Sequence, residues 1–387
     1  YLAAIRAVEK ADDETRERAI AAAGMVKAAD LLAGEYTLVI TNVPYLGRAK
    51  QDTILRHHLE NDYKEAKADL ATAFVQRCLA FCASNCTVAV VTPENWLFLT
   101  GYTKFRKLLL ERRTWNIVAR LGEHAFASTA AAGAFAAMMA LSAKKPRNDA
   151  ALAGIDVSAP RGQAPIYADE KASLLRGDSP SEISVVPQKE LLGNPDSRIV
   201  LERLGTGERL SEYAHAYQGV SPADLPHYGR MFWEVDPLRP EWRRWQSTIE
   251  STVAFGGREL VLWWNKDFTD AVDQGVAYVR GEDAWGASGV GIKQMGGLPA
   301  TIYTGEVFDT NVAIIVPKKQ ALLPPIWAYC ASDEYSTAVR KLDRKMNVTN
   351  ATLVKVPFDL DHWKKVAAKK YPDGLPEPES DDPTQWL

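Results

Sequence analysis

The chain has 387 residues, room for two or three domains at roughly 100–200 residues each. Hydrophobic residues make up 47% and charged residues 25%, which excludes a mainly disordered, collagen-like or repeat protein. With 46 Lys and Arg against 49 Asp and Glu, the net charge of −3 excludes a globally basic nucleic-acid coat, so any such contact must come from local patches. No apolar run reaches the ~18–20 residues of a membrane span. Ala125–Ala143 comes nearest, but it carries Ser128, Thr129 and Gly133. Cys78, Cys82 and Cys86 stand at i, i+4 and i+8, on one face of an expected helix. With Cys330 they lack the tight pairs of a zinc site and read as buried thiols in a reducing cytoplasm. The chain starts at Tyr1 rather than methionine and is read as part of a longer polypeptide.

Residues 2–33 are rich in Ala, Glu, Lys and Arg and predict one or two helices. Tyr36–Thr41 reads as a short strand, apolar on both faces as in a helix-covered parallel sheet. Residues 64–83 predict a helix, with Leu70, Phe74, Cys78 and Phe81 at helical spacing. Thr87–Thr92 predicts a strand, Tyr102–Arg113 a basic amphipathic helix, Asn116–Leu121 a third strand, and Ala134–Ser142 a fourth strand or a helix. This alternation predicts an α/β sheet over residues 1–145. Residues 146–198 hold Pro146, Pro160, Pro165, Pro180, Pro187 and Pro195 and read as a linker with short elements. Residues 199–370 read as a mixed α+β domain, and 371–387 as a flexible tail rich in Pro, Asp and Glu.

The chemistry is concentrated in Asn42-Val43-Pro44-Tyr45, directly after the Leu38–Ile40 strand. The carboxyl end of a parallel strand is where open α/β sheets place ligands. Pro44 stiffens the turn and keeps Val43 out of the helical region. The Val43 carbonyl is then free to accept a hydrogen bond, and the Asn42 side-chain carbonyl can lie beside it. Two converging acceptors suit an exocyclic amino group, and Tyr45 would stack on the ring that carries it. An extruded adenine fits this pattern.

Asn42-Val43-Pro44-Tyr45 resembles the Asn-Pro-Pro-Tyr motif of amino-group methyltransferases, with Val43 at the first proline. The likeness extends through Ala68-Asp69-Leu70 to Cys78, Val91-Thr92-Pro93-Glu94-Asn95-Trp96 to Leu99, and Leu121-Gly122-Glu123-His124-Ala125-Phe126. Gln218-Gly219-Val220-Ser221 and Arg230-Met231-Phe232-Trp233-Glu234-Val235 resemble the start of a target-recognition domain. The series, over roughly residues 25–365, is similar to large adenine-specific DNA methyltransferases of restriction-modification and BREX- or DISARM-like phage-exclusion systems. The resemblance implies a partial Rossmann-like methyltransferase sheet followed by a DNA-binding domain. It also implies S-adenosylmethionine as cofactor and double-stranded DNA, with possible defence-system subunits, as partners. Such enzymes hold the cofactor with a glycine-rich loop. Between Tyr1 and Thr41 the glycines are Gly24 and Gly34, neither in a Gly-x-Gly turn. The loop is therefore expected upstream of Tyr1, the strand edge is expected to be unpaired, and this piece alone is expected to be inactive.

Asp69 reads either as a helix-N-terminal acid or as a wall of the cofactor or adenine pocket. Phe126 reads as a base-packing or a core residue. Lys50 and Gln51 lie on the loop after the motif, as phosphate contacts or solvated charge and amide. Six of the eleven tryptophans fall within 233–285 and are expected mainly in the core. Between Arg230 and Lys266 six positive residues meet five negative ones, leaving Arg243, Arg244 and Arg258 as candidate DNA contacts. Arg340, Lys341, Arg344 and Lys345 would form two i,i+4 pairs on a helix, a basic ridge for phosphates or a solvated face. The histidines show no metal spacing. The leading reading is an adenine-N6 DNA methyltransferase. The alternatives are a DNA-recognition module with a vestigial site, or methylation of RNA or of a protein glutamine amide.

Overall fold

The computed structural model describes residues 13–126, 133–159, 163–178, 182–204, 207–235 and 239–378. The chain divides into two units, Tyr1–Arg203 and Leu204–Leu387.

In the first unit, α1 (Asp13–Ala33) leads into β1 (Tyr36–Asn42), followed by α2 (Thr53–Asp62), α3 (Leu70–Ala80) and β2 (Cys82–Pro93). Next come α4 (Thr103–Arg112), β3 (Thr114–Gly122), β4 (Ala136–Ser142), β5 (Ala151–Asp156), α5 (Ala168–Arg176), β6 (Ile183–Pro187) and α6 (Gln188–Gly193). The strands form one sheet in the order β1-β2-β4-β3-β5-β6. β1 pairs parallel to β2 and β3 parallel to β5. β4 runs antiparallel to both β2 and β3, so β1, β2, β3 and β5 all point the same way. Their carboxyl ends, at Asn42, Pro93, Gly122 and Asp156, share one edge of the sheet.

The core of this unit packs Val75, Cys78 and Leu79 of α3, and Phe105, Leu109 and Leu110 of α4, onto Val88, Val90, Val118, Met139 and Leu141 of the sheet, with Trp96 and Trp115 buried among them. The fourth strand resolves as β4: short alanines alternate with Met139 and Leu141 in the sheet centre, where tertiary packing overrides weak strand propensity.

Three expectations change. Residues 146–198 are not a linker, because β5 and β6 extend the sheet. The described prolines sit where sheets tolerate them: Pro187 ends β6, Pro195 opens a 3-10 turn, and Pro146 and Pro165 lie in loops, while Pro160 and Pro180 lie outside the described residues. Arg106 clamps this segment down, its guanidinium donating to Trp96 O, Leu99 O, Asp196 O and Ser197 O at 2.6–3.3 Å.

Next, β1 is not covered on both faces. It forms the sheet edge, with Leu38 53% and Ile40 71% exposed.

Last, the three clustered cysteines do not share a helix. α3 ends at Ala80, Cys78 is a buried free thiol, and Cys82 and Cys86 form a disulfide at the start of β2.

The second unit holds β7 (Ala214–Gln218), α7 (Leu225–Tyr228), β8 (Gly229–Met231), β9 (Trp242–Gln246), β10 (Leu260–Trp263), α8 (Lys266–Asp273), β11 (Gly289–Lys293), β12 (Ala300–Tyr303), β13 (Val307–Phe308) and β14 (Val312–Pro317). Helices α9 (Leu323–Cys330), α10 (Asp333–Leu342), α11 (Asn350–Leu353) and α12 (Leu360–Lys370) close it. Its two four-stranded sheets are ordered β13-β9-β10-β8 and β12-β11-β14-β7. Tryptophans contribute less to the core than expected. In 233–285, Trp245 is fully buried, whereas Trp233 is 62% exposed and the others are partly buried. Half of the expected tail, residues 379–387, lies outside the described residues. Among the described residues no helix is long and apolar enough to cross a membrane.

Candidate active site at the strand-end turn

The turn after β1 is built by hydrogen bonds that leave two acceptors open. Val43 buries its side chain and donates its N–H to Val91 O at 3.3 Å, continuing the β1–β2 ladder one step past Asn42. Pro44 has no N–H to offer the next step. Among the described residues no donor reaches the Val43 carbonyl or the exposed Asn42 side-chain amide. Tyr45 follows and is 36% exposed. Its phenol is pushed up to about 12, first by burial and then by the charge of Asp69, so it stays neutral at working pH.

The loop beyond the motif is zipped onto the start of α3. Leu46 N–H donates to Asp69 Oδ1 at 3.3 Å, and Leu70 N–H donates to Leu46 O at 3.0 Å. Gly47 bridges Asp69 and Arg48 N–H donates to Ala68 O at 3.1 Å. Asp69 also caps α3, its Oδ1 accepting from Ala71 N–H at 2.8 Å. The Asp69 carboxylate thus ties the motif loop to a helix N-terminus. Gln51 departs from expectation. It is 4% exposed and donates to Leu46 O at 3.1 Å, a brace for the loop and not a DNA contact. Lys50 lies exposed in a 3-10 turn. Phe126 joins the cluster of Leu121, Ile155, Leu174 and Leu175, the core alternative.

A buried ion pair that no sequence pattern marks lies at the tips of β2 and β3. Glu94 and Arg120 face each other at 3.5 Å with almost no exposure, and Arg120 also donates to Ile199 O at 2.8 Å. Lys171 of α5 is buried nearby and donates to the carbonyls of Leu121 and, at 2.7 Å, Glu123. Burial lowers its pKa against the pull of surrounding carboxylates. Lys171 and Ile199 lie far along the chain from Glu94 and Arg120, so no local pattern marks the cluster.

The second unit redistributes the basic candidates. Arg243 lies over the Trp264 ring at 4.1 Å, partly buried, while Arg244 is exposed on the same strand. Arg258 is buried and donates to Thr304 Oγ1 at 2.7 Å, so it is structural. The expected basic ridge does not form. α10 stops at Leu342, which takes Arg344 and Lys345 off the helix and dissolves both i,i+4 pairs. Arg340 turns back to donate to Lys345 O at 2.5 Å and Gly296 O at 2.7 Å. Lys341 is half-buried near the end of α10.

A mixed sheet with an Asn-Val-Pro-Tyr turn at the carboxyl tip of a parallel strand defines an α/β fold with its candidate site at the strand end. The comparisons with known proteins give the more particular result. Residues 4–126 match the Eco57I restriction-modification methylase family. The adenine-specific methyltransferase BrxX of Escherichia coli O9:H4 (strain HS) is 29% identical over 121 residues, 31% of this chain and 10% of that protein. The adenine-specific methyltransferase PglX of Lacticaseibacillus casei (strain Zhang) is 29% identical over 104 residues, 26% of this chain and 8% of that protein. The matched stretches therefore span a tenth or less of the length of these curated relatives. The fold is similar to that of MmeI, a Type IIL restriction-modification enzyme solved in complex with DNA, with a TM-score of 0.56 and 12% identity. That likeness covers 87% of this chain and 50% of MmeI. Over residues 4–126 the resemblance carried by the motif series is to the family that this match returns.

Proposed function

We propose that this chain carries the catalytic strand and target-recognition unit of a DNA adenine-N6 methyltransferase acting in restriction-modification or phage defence. The observation that supports it most is the pair of open acceptors at Asn42 and Val43 beside the half-exposed Tyr45. Asn42 Oδ1 and the Val43 carbonyl accept the two N6 hydrogens of an extruded adenine and turn its lone pair outward. Tyr45 stacks on the purine, and its neutral phenol adds no repelling charge. The amino group is itself the nucleophile, so no covalent enzyme intermediate is required. The partners on this reading are double-stranded DNA and other subunits of the defence system.

S-adenosylmethionine would supply the electrophilic methyl. The described residues fit the acceptor half of such a site and not the cofactor half: Gly24 lies within α1, Gly34 packs against Tyr36, and Asp69 is engaged as a cap. This chain by itself is therefore expected to bind the cofactor weakly and to be inactive, a property that calorimetry on the isolated chain measures directly. Micromolar binding would contradict it.

The deciding experiment is long-read sequencing of DNA from cells carrying the full-length gene, intact or with Asn42→Ala. N6-methyladenine at a defined motif with the intact gene, lost with Asn42→Ala, supports the reading. An unmodified genome under active expression would favour a recognition module instead.

A further inference from the structure

The Gln218-Gly219 pair of the second unit has no place in the strand-end chemistry, yet the fold is built closely around it. Gln218 is the last residue of β7. The chain after it lies between two neighbours: Val220 bridges Asp309 on one side and Ser221 bridges Tyr278 on the other. A Cβ on Gly219 would meet Phe308 O at 2.2 Å and Asp309 O at 2.5 Å. Gly281 has φ +78, and a Cβ there would meet Gln218 O at 2.5 Å. Glycine at both positions lets three backbones close on one another.

This packing aims one cation. Gln218 Nε2 donates to Thr310 Oγ1 at 3.1 Å, which fixes the amide so that its Oε1 faces Arg280. Arg280 Nη1 donates to that Oε1 at 2.9 Å, and its guanidinium carbon lies 5.6 Å from the centre of the Tyr278 ring. Both Arg280 and Tyr278 are exposed. Among the described residues, the remaining guanidinium donors of Arg280 meet no protein acceptor. Glu282, two residues on, acts on Arg243. An exposed arginine usually loses much side-chain entropy on engaging an anion. Here one nitrogen is already held and the other donors point outward, the pre-organised fork that suits a phosphate.

We propose that Arg280 contacts a backbone phosphate of duplex DNA and that Gln218 is its positioning residue. This rests on the DNA-methyltransferase reading above. It assigns the Gln-Gly motif to aiming a contact, not to touching DNA itself.

The test measures binding by the full-length protein across a salt series. The two probes are a duplex carrying the motif mapped by sequencing and an unrelated duplex of the same length. Arg280→Ala is expected to weaken both about tenfold and to reduce the salt slope by about 0.9. Gln218→Ala is expected to act in the same direction but less, and to add nothing on top of Arg280→Ala, since the two form one unit. Gln218→Glu keeps an acceptor for Arg280 but sets a negative charge beside it, so it is expected to lower affinity and salt slope at least as much as Gln218→Ala with thermal unfolding unchanged, which a merely structural role would not do. Unchanged affinity and slope for Arg280→Ala would overturn the proposal. A loss confined to the mapped motif with an unchanged slope would overturn it too, by making Arg280 a base reader. Additive effects in the double variant would overturn the role of Gln218. A wild-type protein that binds neither duplex would instead sink the methyltransferase reading beneath it.

Discussion

The side-chain amide of Asn42 stands exposed at the tip of β1, so its acceptor is available to a substrate. If it draws one N6 hydrogen, Asn42→Ala in the full-length enzyme should lower kcat about 100-fold or more while duplex affinity is retained. Loss of both in parallel would point to a folding defect. Val43 makes a different prediction. The related motif has proline there, but in this chain Val43 N–H bonds Val91 O. Val43→Pro should therefore cost about 1 kcal/mol of stability yet preserve methylation, because the carbonyl is untouched. Thermal unfolding and a single-turnover assay separate the two effects. Tyr45 is neutral until about pH 12, so its role is the ring. Tyr45→Phe should keep most activity and Tyr45→Ala should lose it. Equal losses would give the hydroxyl a part.

At the scale of elements, the motif loop is held by the N-terminus of α3 as much as by its own strand. Asp69 serves two N–H groups at once, Leu46 of the loop and Ala71 of the helix. Asp69→Ala should cost about 1–2 kcal/mol and raise KM for duplex DNA, with Asp69→Asn recovering part of both because its side-chain oxygen still accepts. The motif and its strand were legible in the sequence because Pro44 and the alternation of elements are local signals. The brace was not, since Gln51 and Asp69 act on partners far along the chain or on backbone groups. The same reason hid the true extent of the sheet: prolines at strand ends look like linker prolines until β5 and β6 find their pairs. The basic ridge failed on one boundary, the stop of α10 at Leu342, which charge spacing cannot foresee. Arg106 was unremarkable as a sequence position, yet it serves carbonyls from two distant segments inside the core. Arg106→Met should destabilise the first unit by about 3 kcal/mol, read from chemical unfolding of that unit's transition.

For the molecule as a whole, the edge at β1 decides how the isolated chain behaves. A strand meant for a parallel sheet is apolar on both faces and needs cover. Here Leu38 and Ile40 are largely exposed, and Ile20, Met25, Val26, Leu31 and Leu32 of α1 are exposed as well. An open apolar edge pairs with whatever edge it meets, and charged residues are how proteins blunt it. The isolated chain should therefore self-associate with rising concentration. Leu38→Lys combined with Ile40→Lys should raise its monomeric fraction in light scattering without disturbing Val39, which faces the core of the first unit. In the full-length protein the same pair should instead lower stability and methylation, because on the proposed reading a cofactor-binding strand covers this edge. A chain whose association is unchanged by the two lysines, or a full-length enzyme indifferent to them, would show that β1 is a finished edge and that the cofactor half of the site lies elsewhere.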